Sequence, residues 1–265
     1  MRSTMNSLSD LPVRCGTGRQ GLVRHAMRWC GVTLLVLGPF MVAGPAWALK
    51  DGVPAPDTLA ARVQACTVCH GREGRATPDG YFPRLAGKPA GYLYHQLLNI
   101  RDGRRRYPPM ARLLQNLSDD YLREIAGYFS TLDLPYAAPR PAQASAAELE
   151  TGRRLVQQGD GSRDLPACVQ CHGQAMTGVA PAIPGLLGLP RDYLNGQLGA
   201  WQTGQRHAQA PDCMAEVARR LRPEEVSAVS AWLSSQPLPA DTHPAAGLPR
   251  ALPARCGSVA VGSGS

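Results

Sequence analysis

The chain has 265 residues, enough for about two domains, with 44% hydrophobic residues and a formal net charge of +8. Residues 1–48 hold five Arg and one Asp, so half of that excess sits in the first segment, and the remainder has one dense basic run, Arg104-Arg105-Arg106. This distribution excludes nucleic acid as a partner, because binding it takes a basic face on the folded part of a protein.

The first segment reads as an export signal. Arg19, Arg24 and Arg28 precede an apolar run from Val32 to Val42, and Ala46-Trp47-Ala48 offers a small-residue cleavage site. The run is short and interrupted by Pro39, so a cleaved signal peptide over 1–48 is expected, with an uncleaved membrane anchor as the rival reading. No later stretch is apolar enough to span a bilayer. A periplasmic protein is therefore expected.

Leu59, Val63 and Cys66 fall at helical spacing and predict a helix running into Cys66-Thr67-Val68-Cys69-His70. That C-x-x-C-H run, followed by Gly71, returns as Cys168-Val169-Gln170-Cys171-His172, followed by Gly173. It is the attachment signature of c-type haem. Two thiols about one helical turn apart add across the two vinyl groups of one porphyrin. The next residue then lies under the ring, where its imidazole binds the iron. Zinc, a redox dithiol or a disulfide are the competing uses of such cysteines. None of them gives both histidines a role at that fixed place. Two covalently bound haem c groups are expected, on Cys66 and Cys69 and on Cys168 and Cys171, with His70 and His172 as iron ligands.

The sequence repeats itself. Phe82-Pro83-Arg84-Leu85-Ala86-Gly87 matches Ile183-Pro184-Gly185-Leu186-Leu187-Gly188, and Tyr92, Gln96, Leu97 and Gly103 match Tyr193, Gln197, Leu198 and Gly204 at the same offset. Tyr107-Pro108-Pro109-Met110 then matches Pro211-Asp212-Cys213-Met214. A final helix closes each half. Ser118 is its N-cap in the first, before an apolar stripe of Leu122, Ile125, Ala126 and Phe129. In the second, Pro223 sits in the first turn, before Val226, Val229, Trp232 and Leu233. Leu149, Gly152, Leu155 and Val156 predict a helix ahead of the second motif, and no run alternates as a strand would. The fold class is all-α: two small domains, each wrapped around one haem. The expected boundaries are 49–136 and 146–236, with a Pro/Ala linker at 137–145 and a loosely ordered Pro/Gly-rich tail at 237–265.

Past the leader the chain has three methionines, Met110, Met176 and Met214. Met110 and Met214 occupy the same slot of the repeat, 40 residues after His70 and 42 after His172, just before the final helix. They are the expected second iron ligands; packing of thioethers in the core is the alternative. At the second iron, Cys213 and His207 compete with Met214. Cys213 and Cys256 are expected to pair as a disulfide, which would pin the tail and remove one competitor. Met176 is read as packing, and His95 and His243 as ordinary residues. The carbonyls of Pro83 and Pro184 are candidate acceptors for the ring N–H of the two haem histidines. Tyr92, Tyr193, Gln96 and Gln197 face the haems or the other half, or are equally ordinary helix residues. The Arg104–Arg106 run is read as a solvated loop, with a docking patch for an acidic redox partner or a counter-charge for haem propionates as its functional alternative.

With C-x-x-C-H-G, a Pro-x-Leu-x-Gly loop, Y-x-x-x-Q-L and a Met before the last helix in each half, residues 58–236 resemble the di-haem cytochromes of the c-four type, built from tandem class I cytochrome c domains. The resemblance implies a periplasmic electron carrier that is not itself an enzyme. It implies His70 and Met110 on one iron and His172 and Met214 on the other. Its redox partners would be an oxidase, a dehydrogenase or a quinol-oxidising complex, with membrane association only through a partner or an uncleaved leader. The alternatives are a cytochrome subunit of a dehydrogenase complex and a di-haem enzyme of thiosulfate-oxidising or peroxidase-like type.

Overall fold

Among the described residues ten α-helices, grouped five and five, reproduce the repeat in space. The computed structural model describes residues 57–259, which lie within one unit running from Val53 to Ser265; the expected leader falls outside the described residues. The first half is α1 (Leu59–Arg62), α2 (Gln64–His70), α3 (Ala90–Arg101), α4 (Pro108–Leu114) and α5 (Asp119–Ser130). The second is α6 (Ala146–Gln158), α7 (Val169–His172), α8 (Arg191–Gln202), α9 (Cys213–Arg220) and α10 (Pro223–Ser235).

Each half closes on its own apolar cluster. In the first, α3 packs on α5, and Leu122, Ile125, Ala126 and Phe129 are all buried among Val63, Leu93 and Ile100. The N-cap is as expected, Ser118 Oγ accepting from the Tyr121 N–H at 3.2 Å. In the second half α10 packs on α6 and α8, burying Leu155, Val156, Val226, Val229 and Leu233, while Trp232 is only partly covered. The close α6–α10 crossing requires Gly152, where a Cβ would collide with the Ala228 carbonyl.

The two halves differ ahead of the haem motif. Val63 joins α1 to α2 almost continuously, whereas α6 ends at Gly159 and an eight-residue loop separates it from Cys168. A buried ion-pair network organises this loop. Arg163 donates to both carboxylate oxygens of Glu225, at 3.0 and 2.8 Å, and Arg222 adds its backbone and side-chain N–H groups at 2.9 and 2.7 Å. Burial pushes the Glu225 carboxyl up, but the bonds from Arg163 and Arg222 prevail and hold it below the ordinary carboxylate range.

Two expectations are corrected. A short antiparallel pair exists, β1 (Gly178–Val179) against β2 (Ile183–Pro184), too brief to alternate visibly in sequence. The tail is held in place as far as residue 259: Ala245 bonds back to this pair, and Cys256 forms a disulfide with Cys213 as expected.

Candidate haem-binding sites

In both halves the C-x-x-C-H run is helical where it matters. Cys66, Cys69 and His70 lie on α2; Cys168 caps α7, which carries Cys171 and His172. Each helix stops at a glycine of positive φ, +75° at Gly71 and +84° at Gly173. At Gly71 a side chain would also strike the Ala76 carbonyl. This left-handed exit turns the chain back beneath the histidine, and only glycine adopts it without strain.

Both histidines are buried, and each ring is fixed by one bond. His70 Nδ1 donates to the Pro83 carbonyl at 2.9 Å, and His172 Nδ1 donates to the Pro184 carbonyl at 2.7 Å. Proline at these positions carries no N–H, and in the second half β2 holds the Pro184 carbonyl in place. Burial pushes both imidazoles below their ordinary pKa, outweighing the opposing effect of the proline carbonyls. Each ring is therefore neutral at neutral pH and presents Nε2 with a free lone pair, the form that binds a metal.

None of the four motif cysteines is paired in a disulfide. Burial raises Cys66 and Cys171, and burial followed by the neighbouring Cys171 pushes Cys168 up to about 12. A redox dithiol or a zinc site takes a lowered thiol pKa. Burial works against such activation at Cys66, Cys168 and Cys171, which suits a covalent thioether.

The second motif opens on a cavity lined by Cys168, Cys171, His172, Leu194, Met214 and Val217. Met214 stands on α9, and Met110 takes the corresponding place on α4; both are partly buried. Met176 is buried in the second core, as its packing role requires. Cys213 is consumed by its disulfide and His207 is exposed, so Met214 is left as the donor lining the cavity.

Polar groups at the rim of this cavity come from both halves. Lys88 and Gln96 of the first half line it beside Arg206 of the second. Lys88 and Arg206 are buried, and neither they nor Arg105 pair with a carboxylate among the described residues. Burial lowers the basicity of Lys88, and burial together with the Arg105 charge lowers that of Arg206. The Trp201 indole N–H, also at the cavity, is buried with no acceptor. Unpaired buried cations and an orphan donor cost stability unless an anion meets them. The two carboxylates of a haem are such an anion, so the residues present fit the group.

Arg105 thus leaves the solvated loop that its run suggested, although Arg106 stays exposed. Gln96 and Gln197 are turned toward the other half, each accepting from an arginine there. Sequence reasoning missed Arg206, although it sits at the Arg105 slot of the repeat. It also missed Lys88 and Trp201, which have no counterpart of the same type in the other half.

No family model matches the chain. It is 36% identical over 208 residues to the thiosulfate dehydrogenase electron acceptor of Thiomonas intermedia, covering 78% of this chain and 91% of that protein. It is 32% identical over 202 residues to cytochrome c4 of Pseudomonas aeruginosa, covering 76% and 94%. Among solved structures, reduced recombinant cytochrome c4 from Pseudomonas stutzeri superposes with a TM-score of 0.58 at 30% identity, over 66% of this chain and 95% of that one. The thiosulfate dehydrogenase TsdBA from Marichromatium purpuratum also superposes with a TM-score of 0.58, at 36% identity; this chain spans only 36% of it.

Proposed function

The chain belongs to the family of di-haem c-type cytochromes that includes cytochrome c4 and the thiosulfate dehydrogenase electron acceptors, and from that premise we propose that it carries single electrons between periplasmic redox proteins, with His70 and Met110 on one iron and His172 and Met214 on the other. The haem supplies the chemistry, a one-electron change at iron. The residues bind, orient and tune it. His70 and His172 present neutral Nε2 atoms from rings locked by proline carbonyls. The thioethers of Met110 and Met214 stand in the same repeat position. Lys88, Arg105 and Arg206 offer positive charge where the two halves meet.

The observation that carries this reading is the duplicated His Nδ1–proline carbonyl bond, made at the same point of each half. A relay between closed irons needs no substrate pocket. Cys213, whose thiolate would have favoured a di-haem enzyme, is occupied in a disulfide.

A more specific role, accepting electrons from a thiosulfate dehydrogenase, is favoured by 36% identity to two relatives named for that role. Mixing the oxidised protein with such a dehydrogenase and its substrate tests it: haem reduction at catalytic rates supports the pairing, and no reduction refutes it.

The ligand assignment is tested by a redox titration with optical and electron-spin-resonance spectra. Two low-spin centres, each with a methionine–iron charge-transfer band, are expected. Met110→Ala and Met214→Ala should each abolish one band. A variant that leaves both bands in place removes that methionine from the ligand set.

A further inference from the structure

The chain beyond α10 returns to the second site at two points. Ala245 adds to the β1 edge: its N–H donates to the Gly178 carbonyl at 2.9 Å, and its carbonyl accepts from the Ala180 N–H at 2.8 Å. Further on, the Gly257 N–H donates to the Pro211 carbonyl at 2.9 Å, and Cys256 is bonded to Cys213, the residue before Met214. Gly257 is pressed so closely on the Ala210 carbonyl that no side chain fits there. Between and around these anchors, Leu252, Pro253 and Val259 line the same cavity as His172 and Met214. Ser258, which also lines it, has a buried hydroxyl without a protein partner.

Among the described residues the first half has no such cover. Its residue at the Cys213 slot is Pro109. Val68, Tyr81 and Leu113, the large apolar side chains most exposed among the described residues, all belong to that half, Val68 inside its C-x-x-C-H run.

We propose that the segment Leu252–Val259 is a cap built into the second haem site, which closes the Met214 side and holds that loop in place through the Cys213–Cys256 bond. Cys256 acts through Met214 as a positioning residue. The site is thereby closed to small external ligands by the chain's own tail, while the first site relies on α4 alone. This inference rests on the assignment of Met214 as the second iron's ligand.

Imidazole uptake by the ferric, haem-loaded protein tests it, with the two sites told apart by the methionine methyl resonance that each loses, assigned with Met110→Ala. Two variants are compared with the unaltered chain: Cys213→Ser ending at Ala251, which lacks the cap, and Cys213→Ser/Cys256→Ser, which keeps the cap untethered. Removing the cap should speed imidazole binding at the second haem about tenfold, equivalent to ~1.4 kcal/mol of closure. The untethered variant should fall between, and the first haem should be unchanged throughout. Equal rates at the second haem in the unaltered and untethered chains, with its methionine signal present, would overturn the cap while leaving the ligand assignment standing. If the shortened chain fails to fold, the untethered variant still decides. A second haem with no methionine signal in the unaltered chain would overturn the ligand assignment, and the cap with it.

Discussion

Arg105 and Arg206 face each other across the junction of the two halves, each donating to both Gln96 and Gln197. Arg105 reaches Gln96 Oε1 at 3.0 Å and Gln197 Oε1 at 2.8 Å; Arg206 reaches the same two atoms at 3.0 and 2.7 Å. A backbone bridge reinforces them, Arg106 N–H to the Gln205 carbonyl at 2.9 Å and His207 N–H to the Arg104 carbonyl at 2.7 Å. Two like charges sharing two neutral acceptors repel one another, and the arrangement is stable only beside negative charge. Haem carboxylates would supply it, held by Arg105, Arg206 and the nearby Lys88.

Lys88 gives the first prediction. Its buried ammonium has no hydrogen-bond partner among the described residues, and it lies at the second haem's cavity. A cation there disfavours the ferric state. Lys88→Met should lower the second haem's reduction potential by some tens of millivolts, as expected for one charge about 10 Å away at an effective dielectric near 20, and leave the first haem less affected. Spectroelectrochemical titration reads both; an upward shift would contradict the placement of positive charge at this edge.

Glu225 gives the second. Its carboxylate is 1% exposed and bonded to Arg163 and Arg222. Glu225→Gln removes the charge that Arg163 and Arg222 share, while Arg163 keeps Asp160 at 2.9 Å, and should cost about 1–3 kcal/mol in a denaturant titration. The folded-state pKa lies below the unfolded value, so its contribution is present above the unfolded pKa and is lost as pH falls through the folded one. The loss of stability toward acid should therefore be shallower in the Gln variant.

The two motif glycines separate a backbone effect from a collision. Both have positive φ, but a Cβ strikes the Ala76 carbonyl only at Gly71. Gly173→Ala should cost about 1–3 kcal/mol, the penalty for a backbone conformation that is essentially glycine's alone. Gly71→Ala should cost more and reduce haem loading at the first site. Equal losses, read by thermal unfolding and haem content, would show that the close approach at Gly71 is of no consequence.

The Cys213–Cys256 bond closes a loop with a sequence separation of 43. Replacing both cysteines by serine should lower stability by about 2–4 kcal/mol on loop-entropy grounds. No loss of stability would mean that the tail holds its place through its backbone bonds alone.

What the sequence made legible is local or repeated. C-x-x-C-H fixes thiols and imidazole within one turn, and the proline carbonyls, Ser118, and the stripe from Leu122 to Phe129 follow from helical geometry and from the repeat. Arg206 was legible at the Arg105 slot, because the two positions share one offset. The rest depends on chain segments distant in sequence. Nothing near Lys88 signals that it crosses to the other half's cavity, and the composition of the tail gives no hint that Leu252 and Ser258 meet His172's cavity. Two-residue strands carry too few positions to show a period of two.

The central claim is that each C-x-x-C-H run holds one covalently bound haem. Mass spectrometry of the exported, acid-unfolded protein tests it most directly. The unaltered chain should carry two porphyrins that survive unfolding, and Cys66→Ala/Cys69→Ala and Cys168→Ala/Cys171→Ala should each carry one. A chain that arrives without porphyrin, or with zinc or a disulfide in either motif, would contradict the account.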